Sequence, residues 1–63
     1  MNQQEVNNTI GMKINDAVSY IGKYGYTVSI ASDDGNRQPI AINVPMRVLL
    51  YIKDGIVSSA RIG

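Results

Sequence analysis

The side chains that could perform chemistry in this 63-residue chain are serines, lysines and carboxylates, because it contains neither histidine nor cysteine. Without those two residue types, an activated nucleophile with a neighbouring base and the usual zinc or iron ligand sets cannot be assembled. The five carboxylates occupy positions typical of helix capping and turns: Glu5, Asp16, Asp33, Asp34 and Asp54. We therefore expect a protein that is not an enzyme and that uses no metal or cofactor.

The stretch that could act on a partner is an apolar segment bracketed by two prolines, within residues 36–46. Each proline fixes φ and biases the residue before it to an extended conformation. One interpretation is an extra strand that packs on the core or pairs with a second copy. The other is a stiff loop that enters a groove of a partner, since stiffness reduces the entropy lost on binding. The residues that would make this contact are Pro39, Ile40, Ala41, Ile42, Asn43, Val44 and Pro45.

A single helix is predicted over residues 14–24, where apolar residues recur at the spacing of one helix face. These residues are Ile14, Ala17, Val18, Ile21 and Tyr24. Gly25 suits the left-handed conformation that often ends a helix. Before the helix, residues 1–9 contain Val6 as their only aliphatic side chain besides Met1. We therefore expect residues 1–10 to be a flexible N-terminal tail and residues 11–63 to form a single domain.

Three strands are predicted after the helix. Residues 26–32 alternate in polarity, so that Tyr26, Val28 and Ile30 would face the helix, and residues 33–36 have the composition of a turn. Residues 47–53 are apolar enough for a central strand, and Asp54-Gly55 predicts a hairpin to an antiparallel strand over residues 56–62. If the first two strands are parallel, the segment between them must cross as an extended loop.

Charge and hydropathy limit the choice of partners and compartment. The formal net charge is +1 with both signs interspersed, which argues against a nucleic acid or a membrane surface as partner. The polar start lacks the basic and apolar regions of a secretory signal, and no apolar run has membrane-spanning length. We therefore expect a cytoplasmic protein.

Two stretches carry a resemblance to a known family. Residues 11–17 (Gly-Met-Lys-Ile-Asn-Asp-Ala) resemble the Gly-Lys-Ser/Thr opening, with alanine early in the helix, of potato type I serine-protease inhibitors and their bacterial relatives. Residues 47–57 (Arg-Val-Leu-Leu-Tyr-Ile-Lys-Asp-Gly-Ile-Val) and the final Arg-Ile-Gly are similar to that family's Arg-Val-Arg-Val-Phe-Val, turn, Gly-x-Val and terminal Gly. The resemblance covers residues 11–63.

This resemblance implies an α+β fold, with one helix packed on a small mixed sheet and a long crossover loop that is presented to a serine protease. It places the scissile pair at or near Ala41-Ile42, with Ala41 as the specificity residue and Arg47 as loop support. The family usually has Thr before and Asp or Glu after the specificity residue, bonded to arginines of the sheet. Here Ile40 and Ile42 stand at those positions, and Val44 replaces the first supporting arginine.

A second hypothesis is a homo-oligomer that buries Ile40, Ile42 and Val44 against another copy and sequesters a small ligand such as a nucleotide signal. Such a protein would suit the anti-defence functions of a mobile element. Its polar and stacking groups would come from Arg37, Arg47, Arg61, Tyr24, Tyr26 and Tyr51. A third alternative, a purely structural subunit, would assemble without any ligand.

Overall fold

Four strands form one mixed sheet, and two short helices pack on one of its faces, in a computed structural model that describes residues 1–42 and 44–63. The helices are α1 (Gln3–Asn7) and α2 (Ile14–Gly22). The strands are β1 (Thr27–Asp33), β2 (Asn36–Arg37), β3 (Arg47–Lys53) and β4 (Ile56–Ile62), in the spatial order β2-β1-β3-β4. The α+β class with a mixed sheet is as predicted from the sequence, whereas the prediction of a single helix is wrong.

Strands β1 and β3 are parallel, with Thr27 beside Arg47, and β4 returns antiparallel to β3. A parallel pair requires a connection that travels back along the sheet. After β2 this connection is made by residues 38–46, which we call the crossover loop. Its described residues contain neither helix nor strand, so the interpretation of the segment as an extra strand packed on the core is not supported for them.

Two Asp-Gly turns lie side by side at one end of the sheet. Asp54 and Gly55 have φ values of 53° and 76°, the left-handed pair that a two-residue hairpin needs. Asp34 and Gly35 have φ values of 51° and 82°, and Asp34 Oδ1 accepts a hydrogen bond of 2.7 Å from the Asp54 backbone N–H. The hairpin at residues 54–55 is confirmed, and the turn predicted over residues 33–36 is a second hairpin in which Asn36 already belongs to β2.

The core lies between the helices and one face of the sheet. Every second residue of β3 contributes to it, namely Val48, Leu50 and Ile52, as strand alternation requires. Ala17 and Ile21 of α2 are fully buried against them. For two other residues the prediction that they lie on the buried helix face is wrong: Val18 is 43% exposed and Tyr24 is 39% exposed. Helix α2 ends at Gly22, before Tyr24, and the partly buried Tyr20 packs on the core instead.

The prediction of a flexible tail over residues 1–10 is wrong for α1, because Val6 is fully buried in the core. A capping box starts this helix: the Asn2 side chain accepts from the Glu5 N–H at 2.8 Å, and the Glu5 carboxylate accepts from the Asn2 N–H at 2.9 Å. Gln3 Nε2 also donates to the Ala60 carbonyl at 2.9 Å, which attaches α1 to β4. Among the described residues, no helix is long and apolar enough to cross a membrane.

Candidate functional site

The crossover loop exposes large apolar side chains. Ile42 is 84% exposed, the most of any large apolar residue in the described parts of the chain, and Ile40 and Met46 are also exposed. Pro39, Ala41 and Pro45 are exposed as well, whereas Val44 is partly buried, and Asn43 lies outside the described residues. Exposed apolar groups that cluster in one segment mark a contact surface more often than isolated ones do.

Arg47 attaches the middle of the crossover loop to the sheet. Its side chain is only 5% exposed, and Nη1 donates to the Ala41 carbonyl at 2.7 Å. Nε of the same side chain donates to the Gly63 carbonyl at 2.8 Å. Hydrogen bonds from a charged donor are stronger than neutral ones, and a guanidinium has the rigid geometry to make two at once. Arg47 therefore connects two backbone segments that are distant in sequence: one at Ala41, directly before Ile42, and the other at Gly63.

The ends of the crossover loop are attached to β1. The Gln38 N–H donates to the Ala31 carbonyl at 3.0 Å, where a bulge shifts the register of β1. At the other end, the Thr27 N–H donates to the Met46 carbonyl at 2.9 Å. Met46 has a φ of 52°, which lies in the left-handed region that residues other than glycine adopt uncommonly. Three fixed points, two at the ends and Arg47 in the middle, thus determine the path of this loop.

The face of the sheet opposite the helices, here called the outer face, carries the other half of the β3 side chains. Arg47, Leu49 and Tyr51 alternate with the core residues and so point away from the helices. Leu49 is only 2% exposed, although it lies outside the core cluster on the helix side. Tyr51 lies beside Ser32 of β1 and Ser59 of β4, and its hydroxyl accepts from Arg61 Nε at 3.1 Å.

A cavity of about 700 Å³ lies on this outer face, next to the crossover loop. Its walls come from all four strands and from the start of the loop, and they include Arg37, Arg61, Tyr51 and Ile40. No acidic residue is among the described residues that line it. A second cavity of about 720 Å³ shares Tyr51 and Ser32 with it but extends over the two Asp-Gly turns and is lined by Asp34, Lys53 and Asp54. The outer-face cavity next to the loop is therefore the cationic one.

Only some of the residues that we predicted for a ligand site lie together in the structure. Arg37, Arg61 and Tyr51 do meet in the outer-face cavity, whereas the Arg47 side chain is occupied by its two backbone acceptors. Tyr26 packs against the core on the helix side, where its hydroxyl accepts from the Met1 amino group at 3.3 Å. Within one copy, therefore, Tyr24 and Tyr26 do not join the other predicted residues in the outer-face cavity.

Tyr24 instead pairs with Tyr20 on the surface of the helical layer. Their ring centroids are 5.5 Å apart at an angle of 54°, and their hydroxyl oxygens are 3.4 Å apart. The pKa of Tyr24 is raised to about 12, mainly by the hydrogen bond with Tyr20 and to a smaller extent by nearby Glu5. Tyr24 is therefore a neutral phenol at physiological pH, on the opposite side of the sheet from the outer-face cavity.

Ser32 and Gln38 belong to the cavity wall but were missed in the sequence. Strict alternation from Val28 and Ile30 would put Ser32 on the helix side, so its place on the outer face depends on the β-bulge between Ile30 and Ser32, which the sequence did not reveal. Gln38 follows β2 directly, so its position depended on recognising that two-residue strand.

Comparison of the chain with models of known protein families, with curated protein sequences and with solved structures finds no match. The resemblance to potato type I inhibitors rests on the quoted residues alone.

Proposed function

We propose that this protein acts by binding and blocking another protein through the crossover loop, with Ile42 as the side chain that enters the partner. The observation that carries this proposal is the contrast between two adjacent residues. Ile42 is 84% exposed, while the carbonyl of Ala41 directly before it is held by the buried Arg47. The loop therefore presents an apolar side chain on a fixed backbone.

Such an arrangement favours binding in two ways. Burying an isoleucine side chain in a pocket of a partner stabilises a complex by roughly 1.5–3 kcal/mol. A loop that already has its bound conformation also loses less entropy on association than a mobile one. The two prolines and the bond from Arg47 both restrict the loop before any partner arrives.

The partner class that we propose is a serine protease, as the resemblance to potato type I inhibitors implies. The chain order supports it: a helix, a strand, an extended crossover and a parallel strand that begins with the supporting arginine. Inhibitors of this kind usually use a polar side-chain brace, which isoleucines replace here. In this chain Arg47 bonds to the loop backbone itself, so the support does not depend on the missing side chains.

We assign the specificity role to Ile42 rather than to Ala41. A protease that attacks a substrate-like loop must receive the carbonyl oxygen of the specificity residue in its oxyanion hole. The Ala41 carbonyl is already bonded to Arg47 at 2.7 Å, so it is directed toward the sheet and away from a partner. We therefore expect Ile42 to occupy the specificity position.

A second candidate is self-association, in which Ile42 and Ile40 of one copy bury against another copy. The exposure of both side chains on one loop favours it as much as it favours a different partner. Size-exclusion chromatography with light scattering separates the two candidates. A loop that serves a different partner leaves the protein monomeric, whereas self-association gives a stable dimer that Ile42→Asp dissociates.

The experiment for the first proposal measures residual activity of subtilisin-like and elastase-like proteases at micromolar protein. The wild type is expected to inhibit at least one of them, and Ile42→Asp is expected to weaken inhibition about tenfold or more. Ile10→Asp is the matched control, because Ile10 is also an exposed isoleucine but precedes α2. It should inhibit like the wild type.

Three results would overturn the proposal. One is the absence of inhibition across the panel, and another is rapid cleavage of the crossover loop. The third is stronger inhibition by Ile42→Asp. In that case the new carboxylate would stiffen the loop by bonding to Arg47, and Ala41 rather than Ile42 would be the specificity residue. Thermal unfolding of both variants checks that they are folded, and the exposure of Ile42 predicts little change in stability.

A further inference from the structure

The outer-face cavity combines cations from the two edge strands of the sheet. Arg37 lies on β2 and Arg61 on β4, with β1 and β3 between them. Three strand spacings of about 4.8 Å and an offset of two residues along the strands separate the two backbone positions by roughly 16 Å, a span that the long arginine side chains can reduce from both sides. Tyr51 of β3, a strand between them, and Ile40 of the crossover loop also line this cavity.

The polar groups of this cavity are suited to an anion. No carboxylate is present among the described lining residues to neutralise the two guanidinium groups. Arg61 uses Nε to bond to the Tyr51 hydroxyl, which orients its side chain and leaves its terminal nitrogens for another acceptor. A planar guanidinium binds phosphate or carboxylate oxygens in pairs, and Ser32 adds a hydroxyl donor nearby.

The cavity also has room and apolar surface for more than a simple ion. Its volume of about 700 Å³ lies within the range of small-molecule sites, and Tyr51 and Ile40 provide apolar walls. An aromatic side chain beside cationic groups is the arrangement on which planar rings of anionic ligands stack.

We propose that the outer-face cavity binds a small aromatic anion of mononucleotide size. Its phosphate or carboxylate lies between Arg37 and Arg61, and its ring lies against Tyr51. This site is separate from the protein contact at Ile42, although Ile40 connects it to the crossover loop. A monomer with this cavity is sufficient for binding, so the site does not require the oligomer that we considered from the sequence.

The experiment titrates the ¹⁵N-labelled full chain with four probes: adenosine monophosphate, adenosine, inorganic phosphate and indole-3-acetate. The nucleotide or the aromatic carboxylate is expected to give saturable shifts at Ser32, Gln38 and Tyr51. Its affinity should exceed those of adenosine and of phosphate by about tenfold or more, since each of these lacks half of the recognised chemistry. The stronger of the two aromatic anions identifies whether the charged group is a phosphate or a carboxylate.

Variants then test the assigned residues. Arg61→Gln and Arg37→Gln should each weaken binding about tenfold or more, because each removes one guanidinium from the anion. Lys23→Gln is the matched control, since Lys23 follows α2 and lies outside the cavity wall. All three changes are at exposed positions, and unfolding curves check that the variants stay folded.

The proposal is overturned if none of the probes saturates up to about 10 mM. It is also overturned if phosphate alone binds as tightly as the aromatic anions, or if Lys23→Gln weakens binding as much as the arginine variants do. Protease inhibition by the same arginine variants separates the two proposals. Loss of ligand binding with unchanged inhibition would support the cavity and leave the role of Ile42 unaffected.

Discussion

The two faces of the sheet differ in what covers them. On the helix side, Val48 and Leu50 of β3 are fully buried under α1 and α2. On the outer face, the intervening residues of the same strand include Arg47, which bonds to the crossover loop, and Tyr51, which lines a cavity. A strand with period-two alternation can therefore stabilise the domain with one set of side chains and form a binding surface with the other. Substitutions on the two faces should have separable effects.

The largest effect is expected from Leu50→Ala on the helix side. Removing a fully buried leucine loses transfer free energy and leaves a cavity, which reduces the free energy of unfolding by about 2–5 kcal/mol. Urea denaturation measures this loss. Ile42→Ala, at an exposed position of the crossover loop, is the control and should change stability by about 0.5 kcal/mol or less. Equal losses in the two variants would contradict the division between the faces.

Arg47→Gln should have the next largest effect, although it lies on the outer face. The shorter side chain cannot keep both bonds, so the Ala41 or Gly63 carbonyl loses its donor, at a cost of about 1–3 kcal/mol. The same denaturation experiment applies. Arg37→Gln replaces an exposed arginine of the same face and should be nearly neutral. If the two arginine variants were equally stable, Arg47 would not be a structural support.

A smaller effect is expected at the paired turns. Asp34→Ala removes the acceptor of the Asp54 N–H and places alanine at a φ of 51°, which should lower the free energy of unfolding by about 1–2 kcal/mol. Asp34→Asn keeps both an oxygen acceptor and the tolerance for this conformation, so it should cost less. Thermal unfolding can rank the two. A larger loss for asparagine than for alanine would contradict the role of this bond.

The smallest effect concerns the tyrosine pair on the helical layer. Because the pKa of Tyr24 is raised to about 12, its hydrogen bond with Tyr20 contributes to stability at pH values below 10 and is lost as the pH rises through 12. Tyr20→Phe should return the Tyr24 pKa toward its ordinary value of about 10. Ring chemical shifts of Tyr24 measure the titration, and Tyr51→Phe on the outer face is the control. A wild-type pKa near 10 would show that the pair is not bonded in solution.

The sequence predicted the features that local patterns determine. The alternation in β3, the Asp54-Gly55 turn and β4 are all found where they were expected. The missed elements are short: α1 contributes the single buried side chain of Val6, and β2 has two residues, so neither gives a periodic signal. The capping pair of Asn2 and Glu5 was the remaining sign of α1.

The candidate sites were less predictable because they depend on how separate strands align. Arg37 and Arg61 come together through the order of four strands, and no pattern within one strand encodes that order. The bond from Arg47 to the Ala41 backbone also has no sequence signature, since any residue at position 41 has a carbonyl oxygen. The sequence could therefore mark the crossover loop as a candidate contact segment, and the family resemblance implied Arg47 as its support, but neither identified the Ala41 carbonyl as the acceptor.

The proposed function requires that Arg47 fixes the crossover loop while Ile42 stays exposed. The ¹H–¹⁵N heteronuclear NOE of the Ala41 and Ile42 amides in the free protein tests it directly, because it reports motion of single amides on the picosecond to nanosecond timescale. We expect values close to those of β3 in the wild type and a clear decrease at both residues in Arg47→Gln. Low values in the wild type that Arg47→Gln leaves unchanged would contradict it.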